Sequence, residues 1–296
     1  MPKAFIPASI VIPTRARPAY LEVALASIVP QARAVGTEVV VVDDAGPSQV
    51  MRNLVERHGA RYEPHPTALG LNVARNTGVQ RSIGELVVLV DDDVEVAPGW
   101  LQALLDATAR HPTADVFAGP IRPRLEGPAP HSCGREEAPI TTLDLGPRDT
   151  YDVRFAWGAN MAVRRSALER VGPFDITLED GGDEQEWQER LRAQAAMSND
   201  PGGADRCIVY VAAAALDHRR SGDDVRLRSL AAAARARGRA ARRFDARRGQ
   251  APGLTRELLT LLGCLGHVVC RRCPAGLTMA AHSLGRLEGG LHERRA

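Results

Sequence analysis

A short apolar run that ends in three consecutive aspartates is the feature that most constrains the fold of this chain. Residues 86–90 are all aliphatic and mostly β-branched, which predicts a strand buried on both faces. Asp91, Asp92 and Asp93 follow it directly. Because open α/β sheets bind ligands at the carboxyl ends of their strands, we expect an acidic site at one edge of a sheet.

The three carboxylates predict a divalent cation. Side chains alternate along an extended backbone, so Asp91 and Asp93 should point to one side and Asp92 to the other. Adjacent carboxylates repel one another unless a cation or a set of donors neutralises them. Hard oxygen ligands suit Mg²⁺ or Mn²⁺ better than zinc. An acidic loop or a helix cap after the strand is the alternative interpretation.

Two earlier segments have the same organisation. The apolar residues 9–12 lead into Pro13, Thr14 and Arg15, and the valines at 39–42 lead into a second acidic pair that includes Asp44. A segment with helical spacing follows each of them. Alternating strands and helices predict a parallel sheet whose strand ends share one edge, so we predict an α/β fold with its cleft there.

The middle of the chain is less regular. Residues 120–150 are rich in Pro, Gly and Arg, which predicts a mobile loop over the cleft. Residues 151–157 alternate like a strand, and residues 207–215 read as another. Asp183 and Glu184 open a predicted helix at 183–192, where capping of the helix dipole is an alternative role for these acids.

Composition is that of an ordinary soluble globular protein, since 44% of the 296 residues are apolar and 25% are charged. No stretch reaches about 18 apolar residues, so we expect no spanning helix. Residues 1–8 lack the apolar core of a signal peptide. The five cysteines, one of them Cys133, form an odd and clustered set that favours a reducing cytoplasm.

Positive charge is concentrated in arginines after Arg219. We therefore expect a core domain at 1–222 and an arginine-rich helical extension at 223–296. The extension either lies on an anionic membrane surface or forms a packed or dimeric appendage. Its cysteine and histidine spacing resembles a metal motif, but four such ligands on one regular helix would not converge without a break near Pro274. These residues are Cys264, His267, Cys270 and Cys273.

Six motifs in order resemble those of family 2 glycosyltransferases with the GT-A fold, and they cover about residues 9–220. Each one alone is weak, because acidic strand ends are common in nucleotide-binding folds. Together and in order they are specific. They are the segments at 11–14, 42–44, 70–76, 91–93, 158–164 and 181–187.

The resemblance implies a GT-A core that binds a nucleotide sugar and a divalent cation, Mn²⁺ or Mg²⁺. In such enzymes an Asp-x-Asp motif holds the cation against the donor diphosphate. The resemblance assigns the nucleotide sugar to Pro13, Thr14, Arg15, Asp44, Arg75, Asn76, Asp91 and Asp92. It assigns the cation to Asp91, Asp93 and His218.

The resemblance also implies a carboxylate general base and inversion at the anomeric carbon. The family motif usually reads Glu-Asp at the helix start, with the aspartate as base, whereas this chain has Asp183-Glu184. The register places Glu184 at the base position. Because a glutamate reaches one methylene further than an aspartate, we expect either that the acceptor binds slightly higher above the start of the helix or that Asp183 shares the role of base. The acceptor would be a hydroxyl of a sugar, a lipid-linked compound or a natural product.

Two rival functions account for less of the sequence. A nucleotidyltransferase would usually carry a glycine-rich phosphate loop with a lysine after the first strand, and residues 13–17 contain neither. A non-catalytic protein that binds anions or nucleic acid through the basic tail leaves the acids unexplained. Because the tail has few aromatic residues for base stacking, we expect no nucleic-acid partner.

Overall fold

The computed structural model describes residues 6–130, 140–178, 181–197 and 203–293. Cys133 and the rest of positions 131–139, which belong to the predicted 120–150 loop, lie outside the described residues. The strands of the described chain are β1 (Ala8–Thr14), β2 (Glu38–Asp43), β3 (Arg61–Pro64), β4 (Leu86–Val90), β5 (Val94–Val96), β6 (Val116–Ala118), β7 (Ile121–Glu126), β8 (Asn160–Arg164), β9 (Ile208–Tyr210) and β10 (Leu216–Ser221). The helices are α1 (Pro18–Ala34), α2 (Gln49–His58), α3 (Leu71–Arg81), α4 (Trp100–Arg110), α5 (Arg165–Val171), α6 (Asp183–Met197), α7 (Gly203–Arg206), α8 (Leu227–Arg247), α9 (Leu254–Arg271) and α10 (Ala275–Glu293).

A seven-stranded sheet with the order β3-β2-β1-β4-β8-β6-β9 forms the core. The first four strands in that order are parallel, and β8 runs antiparallel to its neighbours β4 and β6. All residues of β1 and β4 are buried, because helices cover both faces of the sheet. The α/β fold, its mostly parallel sheet and the buried strand at Leu86–Val90 are therefore confirmed.

The parallel arrangement brings the ends of β1, β2 and β4 to one edge. In register, Thr14 at the end of β1 pairs with Asp43 at the end of β2. Leu89 of β4 pairs with Val11 of β1, so the aspartates after β4 extend past the same edge. The side chains predicted to meet are thus carried by neighbouring strands.

A second, three-stranded sheet has the order β5-β10-β7. Its strand β5 begins at Val94, directly after the third aspartate, and it pairs antiparallel with β10. The register places His218 opposite Val94. This pairing brings the end of a distant strand to the acidic turn.

Three predictions about the middle of the chain need correction. Residues 151–157 form no strand, because the side-chain amide of Gln188 bonds both the N–H and the C=O of Ala156 at 2.8 Å, in place of a neighbouring strand. The 207–215 segment is strand only over Ile208–Tyr210. The 120–150 segment was predicted as loop, but it contains strand β7.

The described chain divides into two compact units, and the candidate site lies in the first. The first comprises Met1–Arg122, Thr142–Ile176 and Asp183–His218, and the second Pro123–Thr141, Thr177–Gly182 and Arg219–Ala296. The boundary between residues 222 and 223 stays a prediction. No described helix is long and apolar enough to cross a membrane.

Helices α8 and α10 of the second unit pack with their backbones in close approach. A Cβ on Gly238 would lie 2.0 Å from the carbonyl oxygen of His282, and a Cβ on Gly285 would lie 2.0 Å from that of Arg235. Only glycine fits at both positions. The C-terminal region is helical, as predicted.

The described cysteines of helices α9 and α10 and their connection form no group with the spacing of a metal site. Cys264 is buried with its Sγ 3.7 Å from Ser283 Oγ, whereas Cys270 is exposed. Among the described residues, the single group of His, Cys, Asp and Glu side chains with the spacing of a metal site lies elsewhere. All four described cysteines are free thiols.

Candidate active site

Asp91, Asp93 and His218 form a cluster in which one ligand atom from each lies within 4.8 Å of the others. His218 Nε2 is 2.8 Å from Asp93 Oδ1 and 4.0 Å from Asp91 Oδ2. Asp93 and His218 are almost fully buried, and the Asp91 side chain is 29% exposed. The cluster is therefore open to solvent on its Asp91 side.

Asp92 points away from this cluster, as the alternation of side chains predicts. Its Oδ2 accepts a hydrogen bond from the Thr14 hydroxyl at 2.6 Å, and its Oδ1 pairs with Arg17 at 2.8 Å. Burial raises the pKa of Asp92 to about 6, although Arg17 and Thr14 oppose the shift. Arg17 also pairs with Asp93 at 2.8 Å and packs over the ring of Tyr20.

Arg75 joins the acidic turn to the acids of helix α6. Its Nη2 is 2.9 Å from Glu184 Oε1 and 3.8 Å from Asp91 Oδ1, while its Nη1 is 2.5 Å from Asp183 Oδ2. The arginine is 2% exposed. Its Nε is buried and has no hydrogen-bond partner within the described part of the chain.

The two acids of α6 have opposite pKa shifts. Burial and the adjacent Glu184 carboxylate raise the pKa of Asp183, against the opposing effect of Arg75. For Glu184, burial alone would raise the pKa, but Arg75 and hydrogen bonds from Asp183 and from the Gly158 N–H hold it below its ordinary value. One guanidinium cannot balance every carboxylate around it, so burial and the neighbouring carboxylate favour the protonated form of Asp183, whereas Arg75 favours the charged form of Glu184.

Gly158 leaves the space in which Arg75 and Glu184 meet. A Cβ at this position would lie 2.2 Å from Arg75 Nη2 and 2.7 Å from Glu184 Oε1. Its N–H donates to Glu184 Oε1 at 3.2 Å. The Gly-Ala-Asn segment, whose asparagine begins β8, thus leaves room for the contact between Arg75 and Glu184.

The cluster fits a divalent cation on two grounds. Two carboxylates and an imidazole converge, a donor set that suits Mn²⁺, and Mg²⁺ through the carboxylates. The surroundings also carry surplus negative charge: without Asp183, whose pKa is raised, the carboxylates of Asp91, Asp92, Asp93 and Glu184 face the guanidinium groups of Arg17 and Arg75. A divalent ion would reduce this surplus.

Asp44 is buried, and its carboxylate is fully engaged within the chain. His65 Nδ1 lies 2.7 Å from Asp44 Oδ1, and the N–H groups of Leu69 and Gly70 donate to the carboxylate at 2.8 and 2.9 Å. Burial alone would raise the pKa of Asp44, but these hydrogen bonds hold it below its ordinary value. Asp44 therefore fixes the loop before α3, the helix that carries Arg75.

The remaining residues assigned to the nucleotide sugar differ in their surroundings. Pro13 and Thr14 are buried at the end of β1, and Arg15 is exposed just beyond it. Both ends of the Asn76 side-chain amide bond the main chain of Phe174 at 2.9 Å. Asn76 thus holds the segment after α5, and its amide does not reach the aspartates.

Sequence reasoning did not identify several polar residues around the site. Arg17 was not among the predicted site residues; it directly precedes α1 and pairs with Asp92 and Asp93. Asn160 is buried, and its side chain bonds Trp100 Nε1 and the Pro120 and Ala214 carbonyl oxygens. It lies in the Gly-Ala-Asn motif, which was the only available signal for its importance.

Comparison with known proteins agrees with this geometry. Residues 9–172 match the protein family described as Glycosyl transferase family 2, which is more than half of the chain. The chain is 32% identical over 191 residues to the pre-mycofactocin glycosyltransferase of Mycobacterium tuberculosis, a match that covers 62% of this chain and 38% of that protein.

A second curated relative is the glucosyl-dolichyl phosphate glucuronosyltransferase of Haloferax volcanii. It is 25% identical over 116 residues, which are 38% of this chain and 37% of that protein. The chain therefore spans well under half the length of both curated relatives.

The fold also matches a solved structure, the mannosyltransferase PcManGT from Pyrobaculum calidifontis in complex with GDP-Man and Mn²⁺. The TM-score is 0.58 at 18% identity, and the match covers 97% of this chain and 71% of that one. At this identity the likeness concerns the fold, which is that of the GT-A glycosyltransferases.

Proposed function

Because this chain belongs to glycosyl transferase family 2, we propose that it transfers a sugar from a nucleoside diphosphate sugar to an acceptor hydroxyl with inversion at the anomeric carbon. One observation carries the proposal. Arg75 contacts both Asp91 of the cation cluster and Glu184 at the start of α6. If the donor diphosphate binds at the cation cluster, it would lie one side chain away from a carboxylate that could act on an acceptor.

The donor would bind along the edge formed by β1, β2 and β4. Pro13 and Thr14 at the end of β1 would contact the base and ribose, with Arg15 at the exposed rim. The buried Nε of Arg75 has an unused N–H among the described residues, and a phosphate oxygen is a suitable acceptor for it. Asp92 would approach the ribose if Arg17 released its contact.

Asp44 and Asn76 would support donor binding indirectly. Asp44 fixes the loop before α3 through Leu69 and Gly70, and Asn76 fixes the segment at Phe174. The first contact holds the start of α3, and the second holds its middle, next to Arg75. We therefore assign them a positioning role in nucleotide-sugar binding.

The cation, Mn²⁺ or Mg²⁺, would be held by Asp91, Asp93 and His218. When bound it supplies positive charge beside the diphosphate leaving group; at an effective dielectric near 20, one unit charge at about 4 Å is worth roughly 4 kcal/mol. Arg17 already pairs with Asp93, so the guanidinium would have to move from that oxygen or share the carboxylate. The Mn²⁺ in the complex of the Pyrobaculum enzyme supports the choice of ion.

Glu184 would act as the general base. Arg75 and the hydrogen bond from the Gly158 N–H to Oε1 stabilise the charged form of Glu184 and hold its pKa below its ordinary value, which supports this role. A sugar hydroxyl is a poor nucleophile, and a positioned carboxylate that accepts its proton during bond formation lowers the barrier. Asp183 would hold Arg75 and retain the proton that the pair shares.

The acceptor would be a sugar, a lipid-linked compound or a natural product. The names of the two curated relatives include a dolichyl phosphate sugar and a mycofactocin precursor, which supports the last two classes. The free thiols of the described cysteines support a reducing, cytoplasmic location.

A direct test is a donor screen with the purified chain. Binding of a panel of nucleotide sugars is measured by calorimetry with Mn²⁺ and again with a chelator, and release of nucleoside diphosphate is followed for the donors that bind. We expect at least one donor to bind only with the cation. If no nucleotide sugar or nucleoside diphosphate binds under either condition, the proposal is wrong.

A further inference from the structure

Helix α9 exposes a continuous apolar face. Leu258, Leu262, Leu265 and Val269 recur at the spacing that places residues on one side of a helix, and they are 44, 53, 42 and 76% exposed. Leu259, which is 64% exposed, widens this face. The other side of the helix packs inward through residues such as Cys264. The face has no partner within the described chain.

The exposed charges of α9 and its C-cap are all positive. Arg256 lies in the first turn of α9, and Arg271 and Arg272 lie at its end, all three exposed. Glu257 is the only acid in the helix sequence, and it is 3% exposed and bonded to Arg286. No ion pair joins the three arginines to a carboxylate among the described residues. The helix therefore combines an apolar face with exposed cations at its two ends, and Arg256 and Arg271 lie on the side away from that face.

This charge pattern distinguishes between two occupants. A second copy of the chain, packed face to face, would offer these arginines no exposed acid of α9 to pair with, because Glu257 is buried. An anionic lipid surface has complementary charge, and its headgroup boundary accepts an apolar helix face while arginines contact the phosphates. We propose that α9 binds peripherally to an anionic lipid bilayer, with the face formed by Leu258, Leu259, Leu262, Leu265 and Val269 against the lipid.

This inference goes beyond the transferase function and does not depend on it, because it concerns the second unit and needs neither donor nor cation. It distinguishes between the two interpretations of the extension that the sequence left open. It would also place an enzyme of this kind at the surface where lipid-linked acceptors reside.

The test is co-sedimentation of the full chain with phosphatidylcholine vesicles that contain or lack phosphatidylserine. We expect binding only to the anionic vesicles, and weaker binding as salt is added. The double variant Leu262→Gln and Val269→Gln should bind at least about tenfold more weakly, because it removes the most hydrophobic part of the contact. Both positions are exposed, so the melting temperature should not change.

Two matched controls distinguish this contact from non-specific hydrophobic binding to vesicles. Val50→Gln changes a residue that is 68% exposed on α2, and it should leave vesicle binding unchanged. A tryptophan placed by Leu262→Trp should shift its emission to shorter wavelength with anionic vesicles, whereas Thr260→Trp, on the polar side of α9, should not. Equal shifts at both positions would contradict the proposal.

Other outcomes also overturn it. Failure of the wild-type chain to bind anionic vesicles at low salt would do so. The proposal would also be wrong if the wild-type chain formed a concentration-dependent dimer and the Leu262→Gln and Val269→Gln variant did not, because a second copy of the chain would then cover this face. Neither result bears on nucleotide-sugar binding, which the donor screen tests separately.

Discussion

The Nη2 atom of Arg75 lies 2.9 Å from Oε1 of Glu184, in a pocket where both side chains are almost enclosed. Arg75 lies on α3 and Glu184 on α6, so the tertiary fold brings these two distant segments of the chain into contact. The arginine also contacts Asp91 and Asp183, so one guanidinium group neutralises part of the negative charge of several neighbouring carboxylates. The stability of the first unit and its proposed chemistry both depend on this contact.

The first prediction concerns stability. Arg75→Met should lower the free energy of unfolding by about 3–5 kcal/mol, because it leaves buried carboxylates without their cation. Arg52→Met is the matched control. It breaks an exposed pair with Glu56 on α2, and such pairs contribute only about 0.3–0.5 kcal/mol. Urea unfolding measures both.

The same variant should show a pH dependence of defined sign. Without Arg75, burial raises the folded-state pKa of Glu184 above its unfolded value, so the folded state of the variant binds the extra proton. Such a group contributes less stability as pH rises through the interval between the two pKa values. The loss caused by Arg75→Met should therefore be larger near pH 8 than near pH 5. A loss independent of pH would show that packing, not charge, explains it.

The second prediction concerns the cation cluster. His218→Asn should weaken Mn²⁺ binding by at least about tenfold, because it removes one of the three converging donors. His111→Asn is a suitable control, since His111 contacts Tyr151 and Asp149 on another part of the first unit. Calorimetric titration with Mn²⁺ measures both. Equal affinity in the wild type and His218→Asn would remove His218 from the site.

The third prediction tests the close helix contact in the second unit. Gly238→Ala should destabilise the extension by about 1–3 kcal/mol, because its Cβ would lie 2.0 Å from the His282 carbonyl oxygen. Gly263→Ala is the control, since a Cβ there meets nothing within 4 Å and alanine favours a helix by up to about 1 kcal/mol. Thermal unfolding followed by circular dichroism should show opposite shifts. Equal melting temperatures would mean that the α8–α10 contact is looser than described.

The sequence predicted the elements whose signal is local. The buried strand before Asp91 was identifiable from its aliphatic run, and α2 from the spacing of its apolar residues. The resemblance to a known motif series placed His218 near the cation, whereas spacing alone would not have done so. That residue reaches Asp93 because β10 pairs with β5, a contact between segments 125 positions apart. Strand pairing between segments so far apart in the chain produces no periodic pattern in the sequence.

The failures have a physical cause as well. The 151–157 segment alternates like a strand, but the side chain of Gln188 satisfies its main chain at Ala156. Arg17 was missed because its role depends on where α1 starts relative to the aspartates. For residues 151–157, the Gln188 side chain makes hydrogen bonds that a neighbouring strand would otherwise make. For Arg17, the contacts with the aspartates arise from the tertiary fold and are not visible in the local sequence pattern.

The last prediction separates catalysis from capping at the start of α6. Glu184→Gln keeps the size and polarity of the side chain but cannot accept a proton, so donor affinity should persist while turnover falls by roughly 10²–10⁴-fold. Asp183→Asn should be milder, because this acid holds the shared proton in the wild type. A capping role would instead lower thermal stability and leave transfer near the wild-type rate in the folded fraction. Single-turnover transfer and a melting curve on both variants distinguish these outcomes. If Asp183→Asn abolishes transfer and Glu184→Gln remains active, the base is Asp183 and the register of the motif is shifted by one residue.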